Sequence, residues 1–250
     1  MSQDKDTSVN GGRRMIEKLN LHTDPNRKIH NALLCQALKA SKELMGEDGF
    51  KAVINRADTL SAGMKVYLDH ENWPPPTPEW GPPARHYSAL SQAVEEVGGG
   101  RAQLVRIGIE TAKMGMSGLG PAMKAQLAIL RRLPGFKWRA EAILKAMTDD
   151  LLDASPGDRE LNTIYVETDD ERRVIRLVDR TGDTCHGRTK SKTPVCHLYR
   201  GGIIGAVEQA TGYIPSVKEV MCMVCGDPAC VFEVDFEPER KSSKHHIEDK

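Results

Sequence analysis

The sequence lacks a net charge: Lys and Arg together number 35, and Asp and Glu together also number 35. A neutral chain has no overall field that attracts it to nucleic acid or to an anionic membrane surface, so both partners are disfavoured. The sequence also lacks a run of about 18 apolar residues, the length at which a membrane-spanning helix is considered. Its N-terminus, MSQDKDTSVNGG, has no apolar core of the kind that a secretory signal requires. We therefore expect a cytoplasmic protein.

Cysteine is scarce in most of the chain, because Cys35 is the only one before position 185. The other five lie at positions 185, 196, 222, 225 and 230. In a reducing compartment such residues are typical of metal sites or of buried small apolar positions rather than of disulfides. The clustering therefore makes the last third of the chain the candidate functional region.

The first 150 residues are predicted to be almost entirely helical. Apolar residues recur at helical spacing from Asn26 onward, and Gly46 is predicted to end the first helix before a second one begins. Four further helices are predicted at 84–96, 101–115, 120–132 and 136–152.

A proline-rich segment, residues 70–86, interrupts the helical part and is predicted to be an extended loop. Its two aromatic residues, Trp73 and Trp80, have two interpretations. They could cover a pocket as a lid, or they could be pinned to the outside of a core.

The last third of the chain has the features of a β-sheet with one helix. Residues 163–167 and 172–178 are short and rich in β-branched residues, which predicts a hairpin. A helix is predicted from Pro194 to Thr211 with a left-handed end at Gly212, and two final strands at 217–223 and 229–236. The fold class is therefore α+β.

A metal site is predicted in these final elements. In a hairpin centred on Gly226, Cys222 and Cys230 stand opposite each other, with β-carbons roughly 4.5–5.5 Å apart. Two thiolates at that separation can share a tetrahedral zinc ion with bonds of about 2.3 Å. Cys196, in the first turn of the preceding helix, is a third ligand.

The residues alone leave the fourth ligand open. The C-x-x-C-G spacing of a zinc knuckle favours Cys225, whereas Glu219 needs a bulge or a strand end to point the same way as Cys222. Cys185, His186 and His197 are further candidates. A cluster of inert buried thiols is the alternative to any metal site. A closed set of four ligands would be structural rather than catalytic.

Residues 194–234 resemble the 4-vinyl reductase domain family. The resemblance is carried by Cys196 at the start of a glycine-rich helix, Gly212-Tyr213 at its end, the E-x-x-C of Glu219 and Cys222, and the G-D-x-x-C-x-F from Gly226 to Phe232. It implies a fold like that of vesicle-transport-particle subunits, in which a helical layer packs on an antiparallel sheet.

In the family's aromatic sensors, zinc is bound by three cysteines and a glutamate in this order. The resemblance therefore implies the ligand set Cys196, Glu219, Cys222 and Cys230, with Cys225 as the rival ligand.

The residue patterns and the resemblance together predict a domain organisation. Residues 1–25 and 237–250, the latter with His245 and His246, are expected to be flexible. Residues 26–118 are expected to form a helical region, and residues 119–236 the zinc-binding α/β domain.

The family includes a protein associated with bacteriochlorophyll biosynthesis and the sensory domains of phenol- and xylene-responsive activators. This implies a sensor or carrier domain that binds an aromatic or tetrapyrrole-like molecule between the helical layer and the sheet. Trp138, Tyr165 and Tyr199 are the candidate pocket residues, and no catalytic residue is assigned.

Two alternatives belong to other functional classes. The first is a tetrapyrrole 4-vinyl reductase or its accessory subunit, which would need a borrowed cofactor because no G-x-G-x-x-G opens a βαβ unit. The second is a ligand-free scaffold that forms a homodimer. In that case, the glycine-rich face of helix 195–211 could pack against a second chain or against its own sheet.

Overall fold

The computed structural model describes residues 21–132, 134–153 and 156–241. Most of the predicted flexible ends, including His245 and His246, lies outside the described residues. Residues 237–241 of the predicted tail belong to the last strand, which runs to Lys241.

The first part of the chain is helical, as predicted. The predicted helices are confirmed to within a few residues, except that the first begins at Asn31 rather than Asn26, because Lys28–His30 form a strand. Helix α1 contains Gly46 at φ 70°, a value that glycine adopts at little cost, and this residue divides α1 into two helical pieces. The helices are α1 (Asn31–Leu60), α2 (Ala84–Val97), α3 (Gly100–Ser117), α4 (Pro121–Arg132), α5 (Phe136–Asp153) and the short α6 (Pro156–Leu161).

The proline-rich segment is more structured than the predicted extended loop. It contains a 3-10 turn at His70–Asn72 and a short strand, β2 (Trp80–Pro83), which pairs antiparallel with β1 (Lys28–His30). The ring of Trp73 lies 5.9 Å from that of Phe50, and the ring of Trp80 lies 5.4 Å from that of His30. Both tryptophans therefore pack against neighbouring side chains, which agrees with aromatics held on the outside of a core and not with a lid over a pocket.

The last part of the chain forms a four-stranded antiparallel sheet in the order β3-β4-β6-β5. The strands are β3 (Ile164–Asp169), β4 (Val174–Asp179), β5 (Tyr213–Met221) and β6 (Cys230–Lys241). Helix α7 (His197–Thr211) precedes β5 and ends at Gly212 with φ 76°, which confirms the predicted left-handed cap. The fold is therefore α+β, with helices first and an antiparallel sheet last.

Two large clusters of buried apolar side chains lie within this architecture, and a small third one lies on the outer face of the sheet. The first joins α1, α2 and α3, and the second fills the space between α5, α7 and one face of the sheet. Leu198 of α7 belongs to the first cluster, whereas Ile203 of the same helix belongs to the second. Helix α7 therefore connects the two clusters. The division of the chain at residues 118/119 stays a prediction.

Glycines on α3 and α7 bring these two helices into backbone contact. A β-carbon added to Gly201 would stand 2.2 Å from the carbonyl oxygen of Val105, and one added to Gly108 would stand 2.0 Å from that of Leu198. Such distances exclude any side chain, so the crossing requires glycine. The sequence suggests the helix's own sheet or another chain as the partner of this glycine-rich face. The face instead meets α3, because the sheet contacts the opposite face of α7.

Within the described parts of the chain, none of the helices combines the length and the apolar character that a membrane crossing needs.

Candidate metal centre

Four cysteines from four separate places in the chain meet beside the sheet. Cys185 ends a 3-10 turn after β4, Cys196 directly precedes α7, Cys222 follows β5, and Cys230 begins β6. All four residues are buried, with at most 1% of their surface exposed. The register of the sheet explains part of this convergence, because Asp179 at the end of β4 pairs with Cys230.

The spacing of the four sulfurs is that of a tetrahedral metal site. The Sγ–Sγ distance is 3.7 Å for Cys185–Cys230 and for Cys196–Cys230, and 3.9 Å for Cys196–Cys222. All four Sγ atoms lie within 4.8 Å of one another. A disulfide bond is about 2.05 Å long, whereas a regular tetrahedron with zinc–sulfur bonds of about 2.3 Å has edges of about 3.8 Å. The donor set therefore fits a divalent, sulfur-preferring ion.

The electrostatics of the cluster favour a thiolate. The pKa of the Cys222 thiol lies far below its usual value, because the thiols of Cys185, Cys196 and Cys230 can donate hydrogen bonds to its sulfur. The same contacts hold the pKa of Cys196 and of Cys230 well above the usual value, because their protonated forms are the donors. The thiolate is the form that binds metals, so Cys222 is, among Cys196, Cys222 and Cys230, the sulfur best prepared to bind a cation.

Two carboxylates fix the backbone of two of these cysteines. Glu219 accepts a hydrogen bond from the backbone N–H of Cys196 at 2.9 Å, and Asp227 accepts one from the N–H of Cys222 at 2.8 Å. The second carboxylate oxygen of Glu219 is buried and has no hydrogen-bond partner among the described residues. Burial, together with the nearby Cys222, raises the pKa of Glu219 to about 8.

The structure thus brings together three of the four predicted ligands, Cys196, Cys222 and Cys230. The fourth member of the group with mutually close ligand atoms is Cys185, and Glu219 is not in that group. The predicted ligand set itself stays a prediction. Cys185 is also a sequence candidate, but its only signal is its membership of the cysteine-rich third of the chain.

The rival ligand and the two histidines lie outside the four-thiol group. Cys225 ends a 3-10 turn, is partly exposed, and donates its backbone N–H to the carbonyl of Cys222 at 2.8 Å. A ring nitrogen of His186 is hydrogen-bonded to the carbonyl of Asp24 at 2.9 Å. His197 is buried, and neither of its ring nitrogens has a partner in the described part of the chain.

The three predicted pocket aromatics lie in different surroundings. Trp138 near the start of α5 is 63% exposed. Tyr165 lies on the outer face of the sheet, where its hydroxyl accepts a hydrogen bond from Arg180 at 3.2 Å. Tyr199 is buried on the inner face, with its ring 5.2 Å from that of Phe232. The structure therefore does not bring the three together.

Two surface clefts are large enough to be considered as ligand sites. One of about 430 Å³ lies between the first turn of α5 and the sheet, and contains Trp138. It is lined by Gly135, Phe136, Lys137, Trp138, Asp170, Arg173, Phe236 and Glu237. A smaller one, of about 290 Å³, lies between α3, α4 and α7 and is lined in part by Leu127 and Arg131.

Comparison with known proteins gives matches to a family model and to solved structures. The crystal structure of the phenol-responsive sensory domain of the transcription activator PoxR with phenol is 17% identical, with a TM-score of 0.30, and the match covers 61% of this chain and 73% of that chain. No curated protein matches the sequence.

The family match is to the profile of the 4-vinyl reductase domain, and it covers residues 183–236. This segment contains all four clustered cysteines and Glu219. The match confirms the resemblance of this part of the chain to the 4-vinyl reductase domain family.

Proposed function

We propose that this protein is a small-molecule-binding sensor or carrier module, and that a structural zinc ion holds residues 183–236 together. The observation that carries the zinc proposal is the convergence of four buried thiols whose Sγ atoms all lie within 4.8 Å of one another, with three of the pairs at 3.7–3.9 Å. A bound zinc ion supplies four strong bonds that tie the loop after β4, the start of α7 and the β5–β6 hairpin to one point. Four protein ligands leave no coordination position for water or substrate, which favours a structural role over a catalytic one.

The ligand, in this proposal, is a small aromatic or tetrapyrrole-like molecule that binds in the cleft between α5 and the sheet. The cleft volume of about 430 Å³ lies within the range of about 300–1,000 Å³ that is usual for small-molecule sites. Three of its lining residues are aromatic: Phe136, Trp138 and Phe236.

The cleft also has a charged rim, in which Lys137 is paired with Asp170 at 2.5 Å and Arg173 with Glu237 at 2.8 Å. The ammonium of Lys137 lies 4.4 Å from the ring of Phe236, and the guanidinium of Arg173 lies 5.7 Å from the same ring. A flat ring could stack on the exposed Trp138, with polar substituents directed to Lys137 and Arg173. The aromatic lining supports an aromatic ligand, and an oxygen substituent on it would compete with Asp170 and Glu237 for these two cations.

The zinc part is tested by native mass spectrometry of the purified protein, which reports metal, bound molecules and subunit number together. We expect one zinc ion per chain, and we expect Cys230→Ser to lose it and to unfold at a lower temperature. Cys35→Ser is the matched control, because Cys35 lies in α1, outside the cluster. A Cys230→Ser protein with full zinc content would contradict the proposal.

The ligand part is tested with phenol as the probe, by titration followed with tryptophan fluorescence. We expect saturable quenching that Trp138→Ala abolishes without loss of zinc. Trp73→Phe is the control, because Trp73 packs on Phe50 away from the cleft. Unchanged quenching in Trp138→Ala would reject the cleft. Oxidation of a reduced nicotinamide in the presence of a vinyl tetrapyrrole would instead indicate the reductase, and a colourless dimer that no ligand stabilises would indicate the scaffold.

A further inference from the structure

We propose that Cys185 is the fourth zinc ligand in this protein, and that Glu219 is a positioning residue that holds Cys196 rather than the metal. This inference rests on the proposed zinc site and concerns the identity of its ligands. It differs from the set of three cysteines and one glutamate that the family resemblance implies.

The first argument is the position of the Cys185 sulfur. It lies 3.7 Å from that of Cys230, which matches the tetrahedral edge of about 3.8 Å for zinc–sulfur bonds of about 2.3 Å. With Cys196, Cys222 and Cys230 it completes a group of four sulfurs that all lie within 4.8 Å of one another. Four sulfurs are therefore already grouped around one position.

The second argument is that the turn carrying Cys185 is held in place from both sides. The backbone N–H of Cys185 donates to the carbonyl of Gly182 at 3.1 Å. Its own carbonyl accepts a hydrogen bond from the N–H of Arg188 at 3.1 Å and lies 3.0 Å from a ring nitrogen of His22. Gly182 has φ 66°, a left-handed conformation that lets the chain turn sharply after β4. The sulfur is therefore presented by a fixed backbone.

The third argument is that Glu219 already has a role in the described structure. Its carboxylate accepts the N–H of Cys196, and Asp227 does the same for Cys222. The two acids thus act as a pair, each holding the backbone of one thiol residue. Groups of this kind, one step away from the metal, orient the ligands. Zinc in a site with four thiolates within reach has no need of an oxygen ligand, and thiolate-only sets are common in structural sites.

The buried second oxygen of Glu219, which has no partner in the described residues, predicts what happens when Cys185 is lost. In Cys185→Ser the carboxylate can move into the vacated position, because it already lies beside Cys196. The variant should then hold zinc through three sulfurs and one oxygen. In Glu219→Gln the amide oxygen can still accept the N–H of Cys196, so the four sulfurs should stay as they are.

X-ray absorption at the zinc edge, on the purified protein, counts these ligands directly. We expect four sulfurs at about 2.3 Å in the wild type and in Glu219→Gln, and three sulfurs with one oxygen at about 2.0–2.2 Å in Cys185→Ser. Glu219→Ala and Asp227→Ala should each lower zinc affinity by about 10–100-fold with the sulfur count unchanged, whereas Glu219→Gln should restore most of the affinity.

The X-ray absorption results can contradict this inference without contradicting the proposed function. Three sulfurs and one oxygen in the wild type would overturn the inference and leave a zinc-stabilised module in place. Protein that binds no zinc would overturn both. The wild-type spectrum decides the matter even when a variant does not fold.

Discussion

The two large buried clusters of this protein differ in the interactions that stabilise them. The N-terminal cluster consists of apolar side chains from α1, α2 and α3, such as Leu34, Leu38 and Phe50. Its stability comes from apolar surface removed from water, which does not depend on the placement of single atoms. The C-terminal cluster contains four thiols among its apolar residues, and in the thiolate form that binds metal such groups are costly to bury without a cation. One part of the chain is therefore expected to fold by burial, whereas the proposed zinc site makes the other part depend on a cation.

Removal of the metal should have the largest effect, and it should destabilise the C-terminal cluster without destabilising the N-terminal one. Apparent binding free energies of structural zinc are about 10–16 kcal/mol in zinc-finger peptides. After unfolding and refolding in the presence of a chelator, we expect residues 183–236 to lose protection from amide hydrogen exchange, while α1 and α2 keep theirs. Equal loss in both regions would mean that the chain folds as one cooperative unit.

A cavity in the N-terminal cluster should destabilise the helical part of the chain and leave the metal centre unchanged. Phe50 is 1% exposed, and its replacement by alanine should lower the free energy of unfolding by about 3–5 kcal/mol in a urea titration. Zinc content should not change. Val66→Ala, at a residue that is 51% exposed, is the control and should change stability by less than about 0.5 kcal/mol. Loss of zinc in Phe50→Ala would show that the two regions are not separable.

The ion pairs of Arg27 should connect the two parts of the chain. Its side chain is 9% exposed and lies 2.8 Å from Asp158 and 2.7 Å from Asp183, the first residue of the family match. Arg27→Met leaves these carboxylates without their cation, so we expect a loss of about 3 kcal/mol in thermal or urea unfolding.

The control for Arg27 is Arg56→Ala, which removes a pair with Glu96 on the surface. Both side chains of that pair are at least 34% exposed, so its loss should cost at most about 1 kcal/mol. Equal effects of the two substitutions would show that Arg27 does not hold the parts together.

The smallest effects are expected at the crossing of α3 and α7, where two adjacent glycines provide a matched pair. Gly201→Ala places a β-carbon 2.2 Å from the carbonyl oxygen of Val105 and should destabilise the protein by about 1–3 kcal/mol. Gly202 has no atom within 4 Å of such a carbon, so Gly202→Ala should stabilise the helix by about 0.5–1 kcal/mol. Differential scanning calorimetry measures both changes in stability. Changes of the same sign in the two variants would contradict the described packing.

Features that depend on neighbouring residues could be predicted from the sequence. The helices follow from apolar spacing, and the ends at Gly46 and Gly212 follow from the freedom of glycine to adopt positive φ. The proximity of Cys222 and Cys230 in the four-thiol group also follows from local spacing, because both belong to one hairpin.

Features that depend on residues far apart in the chain could not be predicted from the sequence. Cys185 reaches the cluster because β4 lies next to β6, which places Asp179 opposite Cys230, and no local pattern encodes that neighbourhood. The pairing of β1 with β2 joins residues about 50 positions apart through a proline-rich segment, so it carries no hairpin signal. The aromatic side chains Trp138 and Tyr199 indicate apolar surfaces on their helices. The sequence does not show which face of each helix packs against the sheet.

The burial of the four thiols has a consequence for the kinetics of metal exchange. Because no more than 1% of any of these cysteine residues is exposed, neither a chelator nor a second ion can reach the sulfurs while the β5–β6 hairpin is closed. In the proposed zinc-bound protein, isotopically labelled zinc should therefore replace the bound ion at the rate at which the hairpin opens. The rate of this exchange should not depend on the concentration of the incoming metal, so an ion acquired during folding would remain for as long as the hairpin stays shut.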